Sequence, residues 1–478
     1  MKKNTLRLLT PLVIAGLVAA GGTPAHAAPA ARSVPDGLRL VQTRQSLLGT
    51  HTWYQQTYRG IPVVGGYYAT HAATGGAVTV DDGRKAVDGL ADAIAGVTAQ
   101  RAKSTVAGRL GRQPGSAELV VVPGSAAAGS AAKLAWMTLT PTRKGTYRSL
   151  VDADTGTVLK EENTARESGG HQADGTGKVF DPNPVVRLQN ESLTDDDNAD
   201  SPVFRRAYRI VRLTKLDRGT TTLQGAYADN VSDNAVTSSR RVFLFNRSQD
   251  GFEQVMAYYS ITGAQEYIHR LGFRDVNNEP QNFRTTGYED DNSYYDGAED
   301  AITFGTGGVD DAEDNEVIWH EYGHAIQDDQ VPGFGESEEA GAIGEGFGDY
   351  WAVTMSQATS PDTRTTPWAC VMDWDSTSYT TDTPHCLRRT DGPKVYPGDL
   401  DGEVHDDGEI WSHALWDINR SLGRTAANRV ILESQFFFNP TISMPQAATL
   451  TVTTARALYG PRAAARARAA FQARGILS

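Results

Sequence analysis

Cysteine is nearly absent: Cys370 and Cys386 are the only two among 478 residues. That excludes a disulfide-stapled scaffold, and the lack of any C-x-x-C spacing excludes a thiolate metal site. One pair close in sequence remains. In an exported chain it is expected to form a disulfide closing a loop of roughly fifteen residues, worth about 3 kcal/mol on the chain-entropy model. Long apolar runs are absent too. Leu8 to Ala20 is broken by Thr10, Pro11 and Gly16 and is too short to span a bilayer, and no later segment could do so. Basic charge is in deficit, with 45 Lys and Arg against 58 Asp and Glu. Composition is otherwise that of soluble globular domains, at 39% hydrophobic and 22% charged residues. The length calls for about three of them.

The deficit is uneven. Residues 1–167 carry 19 Lys and Arg against 11 Asp and Glu, a net +8; residues 168–478 carry 26 against 47, a net −21. The contrast suggests two pieces attracted to each other and argues against nucleic acid as a partner of the larger one. At the start, Lys2, Lys3 and Arg7 precede the apolar run, and Ala25-His26-Ala27 reads as a cleavage site. The expected organisation is a signal peptide at 1–27, a leader at 28–167, and two further parts at 168–330 and 331–478. The polar run from Asn163 to Gly177, with Gly169, Gly170 and Gly175, is the expected linker, open to cutting. Export implies an extracellular protein with no membrane segment.

Strand patterns dominate the leader. Thr52 to Tyr58 alternates, Gly60-Ile61-Pro62 turns the chain, Ala95 to Leu110 suits a helix, and Asp152 to Gly156 signals a hairpin. Strands and turns continue from Lys178 to about Phe245. Phe252 to Leu271 then has helical apolar spacing, and Asp291–Tyr295 and Ala301–Phe304 are short strand candidates. Beyond Glu403 the pattern is helical. The fold class is therefore α+β: an α+β leader, a mixed lobe, and a mainly helical lobe, with the chemical motifs where the lobes meet.

Those motifs are His320-Glu321-Tyr322-Gly323-His324 and, downstream, Gly344-Glu345-Gly346-Phe347-Gly348-Asp349. Residues four apart share a helical face, so His320 and His324 can reach one metal ion while Glu321 can hold a water on it. Glu345 and Asp349 repeat the spacing, offering a third ligand and a carboxylate to hold a ligand histidine. The helix is expected to start near Asp310 or Asp311 and to stop before Pro332. Asp195-Asp196-Asp197 and Asp310 to Glu316 are acidic enough for Ca2+ but lack its loop spacing, and are read as solvated or helix-start acids. His51, His71 and His171 are read as surface residues, His269 as a helix end, and His413 as packing beside Trp411 and Trp416.

On these motifs the chain resembles the thermolysin-type and fungalysin-type zinc metalloendopeptidases, the Gly344-Glu345-Gly346 wording being closer to fungalysin. Residues 46–66, with Gln55-Gln56-Thr57-Tyr58-Arg59-Gly60-Ile61-Pro62-Val63, resemble their shared propeptide module. The resemblance implies His320, His324 and Glu345 as Zn2+ ligands, Glu321 as general base and Asp349 as the orienting carboxylate. It also implies His405 as a transition-state donor, Asn292 on a substrate-binding edge strand, and Arg388, or Arg389 beside it, as a carbonyl binder. The family's oxyanion tyrosine is missing: Glu336 stands there with Phe334 nearby, leaving His405, Tyr350 or another tyrosine for that role.

The implied protein is a secreted, monomeric zinc endopeptidase acting on protein or peptide substrates. Its own propeptide is expected to cover the cleft as inhibitor and to assist folding. Two alternatives stand beside it. One is a zinc-containing adhesion or binding protein on an inactive protease scaffold, for which Glu321 and His405 would be superfluous. The other is a zinc aminopeptidase, for which no G-x-M-E-N-type run is present.

Overall fold

Arg59 and Gly60 both take positive φ, 50° and 83°, the left-handed pair that a two-residue hairpin requires. The strand Gly49–Tyr58 therefore returns at once as Ile61–Ala73, with Tyr58 opposite Ile61. In the computed structural model, residues 34–478 are described apart from 91–93, 125–130, 143–144, 164–171, 197 and 298. Residues 1–27, read above as a signal peptide, lie outside the described residues, as do His171 and Asp197.

The hairpin belongs to an eight-stranded sheet. Its order is Leu38–Gln45, Gly49–Tyr58, Ile61–Ala73, Ser116–Val122, Lys133–Thr142, Gly145–Asp152 and Val158–Asn163, with Val78–Gly83 paired to the third. The last two strands form the hairpin expected around Asp152, whose Oδ1 accepts the N–H groups of Asp154 (3.0 Å) and Thr155 (2.9 Å). Helix α1 (Ala99–Leu110) starts later than expected because the Thr98 side chain caps it.

The expected linker is partly wrong. Gln172–Val179 is a strand, antiparallel to Arg209–Asp217 and parallel to Val242–Phe243. Its glycines serve close packing: a Cβ on Gly177 would lie 2.6 Å from Val255 Cγ1. After the short helix α2 (Pro184–Leu188) comes α3 (Gly251–Leu271), buried on nearly every side. A four-stranded sheet lies near it, in the order Ala228–Asn230, Gln281–Arg284, Ala301–Thr303, Tyr294–Asp296. The first three are parallel; Tyr294–Asp296 is antiparallel and forms the edge.

Helix α4 (Asn315–Gln330) begins after the expected start, because the Asp314 carboxylate takes the Glu316 N–H at 2.9 Å and caps it there. Helix α5 (Glu338–Ser356) is capped by Ser337. An irregular stretch follows, in which Cys370–Val371 pairs with Arg388–Arg389 and a disulfide joins Cys370 to Cys386. Then come α6 (Val404–Leu422), α7 (Arg424–Gln435), α8 (Met444–Tyr459) and α9 (Pro461–Ala473). The class is α+β, with a β-rich N-terminal region and a helical C-terminal part. Among the described residues no helix is long and apolar enough to cross a membrane.

The acids from Asp310 to Glu316 are not solvated, contrary to expectation. Asp311, Glu313, Asp314 and Glu316 are at most 2% exposed. Most have fixed partners: Arg247 Nε donates to Glu313 at 2.9 Å, Asn183 to Asp314 at 3.1 Å, and the Met372 N–H to Glu316 at 2.6 Å. A helix start rich in acids reads as a surface until tertiary donors converge on it.

The leader and the remainder share one hydrophobic core, to which the leader contributes Trp53 and Ala69. Their charge contrast has a local counterpart: Arg44 sits among Asp329, Asp275 (3.5 Å) and Glu279 (3.3 Å). Glu433 accepts the N–H groups of Leu47 (2.8 Å) and Leu48 (2.9 Å).

His51 and His71 are buried at this junction, not at the surface. Their Nδ1 atoms meet at 2.8 Å, His51 Nε2 meets Ser46 Oγ at 2.9 Å, and His51 stacks on Phe436. Burial, with the neighbouring His71 adding to it, pushes His51 down to about 3; burial pushes His71 down to about 4, both from 6.5. Both are neutral when docked and bind protons once released, so docking is fully stable above pH 6.5 and weakens as pH falls below it. The loss at pH 5 is on the order of 2 kcal/mol per histidine. Burial pushes the nearby Glu433 carboxyl upward, an opposing contribution. Amide exchange in Gly49–Ala73 of the uncut chain should be less protected at pH 5 than at pH 7.5. Equal protection, after correction for intrinsic exchange rates, would refute the effect.

Candidate active site

Helical periodicity puts His320 and His324 on one face of α4, and Glu345 and Asp349 on one face of α5. The helices can approach because Gly348 faces His320: a Cβ there would lie 2.7 Å from the imidazole Nδ1. The result is convergence. Glu345 Oε2 lies 3.1 Å from His320 Nε2, Glu345 Oε1 lies 3.4 Å from His324 Nε2, and the two Nε2 atoms are 3.3 Å apart.

Behind them, Asp349 Oδ1 meets His320 Nδ1 at 2.9 Å. Arg388 grips the same carboxylate with two bonds, Nε to Oδ2 at 2.8 Å and one terminal nitrogen to Oδ1 at 2.7 Å. Burial alone would raise the Asp349 carboxyl, but Arg388 and His320 hold it well below the usual range. Burial likewise opposes ionisation of Glu345, yet His324, His320 and His405 hold it low. The site is therefore built to keep both carboxylates ionised. Arg388 in turn is placed by its two-residue ladder with Cys370–Val371, next to the disulfide.

His320, His324, Glu345 and Arg388 line a cleft of about 480 Å³ together with Glu321, His405, Asn292, Phe334 and Tyr379. His405 stands in the first turn of α6, half exposed, its Nε2 3.4 Å from Glu345 Oε2. Asn292 lies just ahead of the edge strand, not within it. Arg389 pairs with exposed Asp391 at 2.8 Å and is not among the cleft residues. Tyr350 is fully buried, with Asn428 accepting its hydroxyl proton and Asn419 at 3.2 Å, so it does not face the cleft. Among the described residues none of the leader lines the cleft; the described leader docks on the ends of α4 and α7.

Residues 36–80 match the Fungalysin/Thermolysin Propeptide Motif, and residues 222–428 match the Fungalysin metallopeptidase (M36) family. Over those residues the chain is similar to the fungalysin-type metallopeptidases. It is 31% identical over 114 residues to "Extracellular metalloproteinase 2" of Trichophyton tonsurans, and equally to that of Arthroderma benhamiae. Each match spans 21% of this chain and only 17% of the relative. A solved structure, the precursor of protealysin from Serratia proteamaculans, aligns with 47% of this chain and 78% of its own at 17% identity and a TM-score of 0.39.

A fungalysin-type region implies a metal, and the donor set fits one. His320, His324 and Glu345 each present a ligand atom within 4.8 Å of the others. Two imidazole nitrogens and one carboxylate oxygen are the donors that suit a tetrahedral centre with an open position. One further residue was missed in the sequence: Glu403 caps α6, and its Oε1 lies 2.7 Å from His405 Nδ1. The available signal was an acid two residues before a histidine at a helix start. Held there, Glu403 orients His405 with Nε2 toward the cleft.

Proposed function

We propose that the protein is a secreted zinc endopeptidase made with a leader that is later cut away. The observation that carries this is the meeting of three ligand side chains with Glu321 and His405 in one cleft. Zinc in the His320, His324 and Glu345 site supplies Lewis acidity and lowers the pKa of water from about 16 to near 7.

The side chains then divide the work. Glu321, only 7% exposed and on the cleft wall, accepts the proton of the attacking water and passes it to the leaving amine. His405, oriented by Glu403, donates to the developing oxyanion. Asp349 holds the His320 ring, and Arg388 keeps Asp349 ionised. A substrate chain lies extended along Asn292 and the edge strand Tyr294–Asp296, adding a strand to the sheet. A base and a proton donor at the ligands' mouth would be without use in a binding protein. Residues 1–27 direct export, and the leader is severed near residue 168, by the enzyme itself.

The mature protein should cleave casein. A zinc chelator should abolish cleavage, and one equivalent of Zn2+ should restore it. Undiminished cleavage by protein shown by metal analysis to be zinc-free would overturn the proposal.

A further inference from the structure

A second cluster of carboxylates stands on the cleft rim, apart from the ligands above. Asp291, Asp311 and Asp375 each present an oxygen within 4.8 Å of the others. Asp311 and Asp375 are 2% and 4% exposed, and among the described residues the Oδ1 atoms of all three have no hydrogen-bond partner. Among the described residues the one side-chain donor to Asp311 is the Ser293 hydroxyl, on Oδ2. Among the described residues no Lys, Arg or His forms an ion pair with any of the three.

This is unlike the neighbouring cluster of Glu253, Asp310 and Glu313, where Arg247 already binds Glu313 at 2.9 Å. Buried like charges with vacant oxygens are costly unless a cation or protons compensate them. Burial first, and then the surrounding acids, push Asp311 and Asp375 well above the ordinary range. An oxygen-only set excludes a soft-metal site and suits a hard divalent ion. A calcium ion bonds oxygens at about 2.3–2.6 Å, so its ligands lie up to about 5 Å apart, which accommodates the observed spread.

We propose that Asp291, Asp311 and Asp375 bind a divalent cation of the calcium class. The ion ties together three segments: the chain entering the substrate edge strand, the turn before α4, and the Asp375–Ser378 turn. Asn292 and Ser293 line the cleft immediately beside Asp291, so the ion also fixes the rim on which substrate lies.

Full-length Glu321→Ala chain, saturated with zinc and uncut, provides the test because it needs no activity. Terbium should bind at one equivalent beyond zinc, with emission sensitised by Tyr379, whose hydroxyl donates to the Asp291 carbonyl at 2.7 Å. Calcium should displace it and raise Tm by about 2 °C or more. Adding Asp375→Asn or Asp311→Asn should weaken calcium binding at least about tenfold and raise Tm in calcium-free buffer. The more exposed Asp291→Asn gives the binding readout if those variants fail to fold. Glu253→Gln should leave binding unchanged. Absence of calcium and terbium binding overturns the proposal. So does binding that survives all three aspartate substitutions, or binding lost in Glu253→Gln instead.

Discussion

Replacing Glu321 by alanine should lower turnover by about a thousandfold or more while the chain keeps its zinc. The carboxylate lies on α4 between the two ligand histidines but is not one of the three converging donors. Its removal takes away the proton acceptor and leaves the ligands in place. The same variant should remain at the mass of the chain after loss of its signal, because self-cleavage near residue 168 needs the same base. Mass spectrometry, zinc analysis and casein hydrolysis together make the check. A variant cut as fast as the wild type would assign maturation to another protease. Loss of zinc would mean that Glu321 supports the ligands instead of the chemistry.

Arg388→Ala is expected to destabilise the catalytic region by about 3–5 kcal/mol, the cost of removing one partner from a buried ion pair. Asp349 is 1% exposed and receives two of its bonds from this guanidinium. Without it the carboxylate takes up a proton or loses its hold on His320, and zinc retention falls with stability. Arg388→Lys should rescue little, since one ammonium cannot reproduce the two-point grip. Arg389→Ala, which breaks only an exposed pair with Asp391, should cost under about 1 kcal/mol. The carbonyl-binding role implied by resemblance predicts something else: a normally folded, zinc-replete Arg388→Ala enzyme with a raised KM. Thermal melting and zinc content separate the two.

Much of the candidate site was legible because it rests on local periodicity. His320 and His324, and Glu345 and Asp349, share helical faces by spacing alone, whatever the helices pack against. The same holds for the hairpin at Asp152, where the turn residues carry their own hydrogen bonds. Partners were not legible in this way. That Arg388 grips Asp349 across 39 residues, or that Glu433 meets Leu47 across 386, follows from no spacing rule.

Burial was the other blind spot. His51 and His71 alternate along ordinary strands, and only the arrival of Phe436 and Phe437 makes their face an interior. The acids before α4 read as a soluble helix start, and only Arg247, Asn183 and the Met372 backbone make their burial tenable. Residues 172–177 read as linker because their glycines serve contacts with residues far along the chain. The sequence by itself determined which side chains share a helix face and where turns fall, since backbone geometry sets those within a few residues. The tertiary structure alone decided which faces are interior, which charges are paired and which acids stand without a partner, because surfaces distant in sequence must first be brought together.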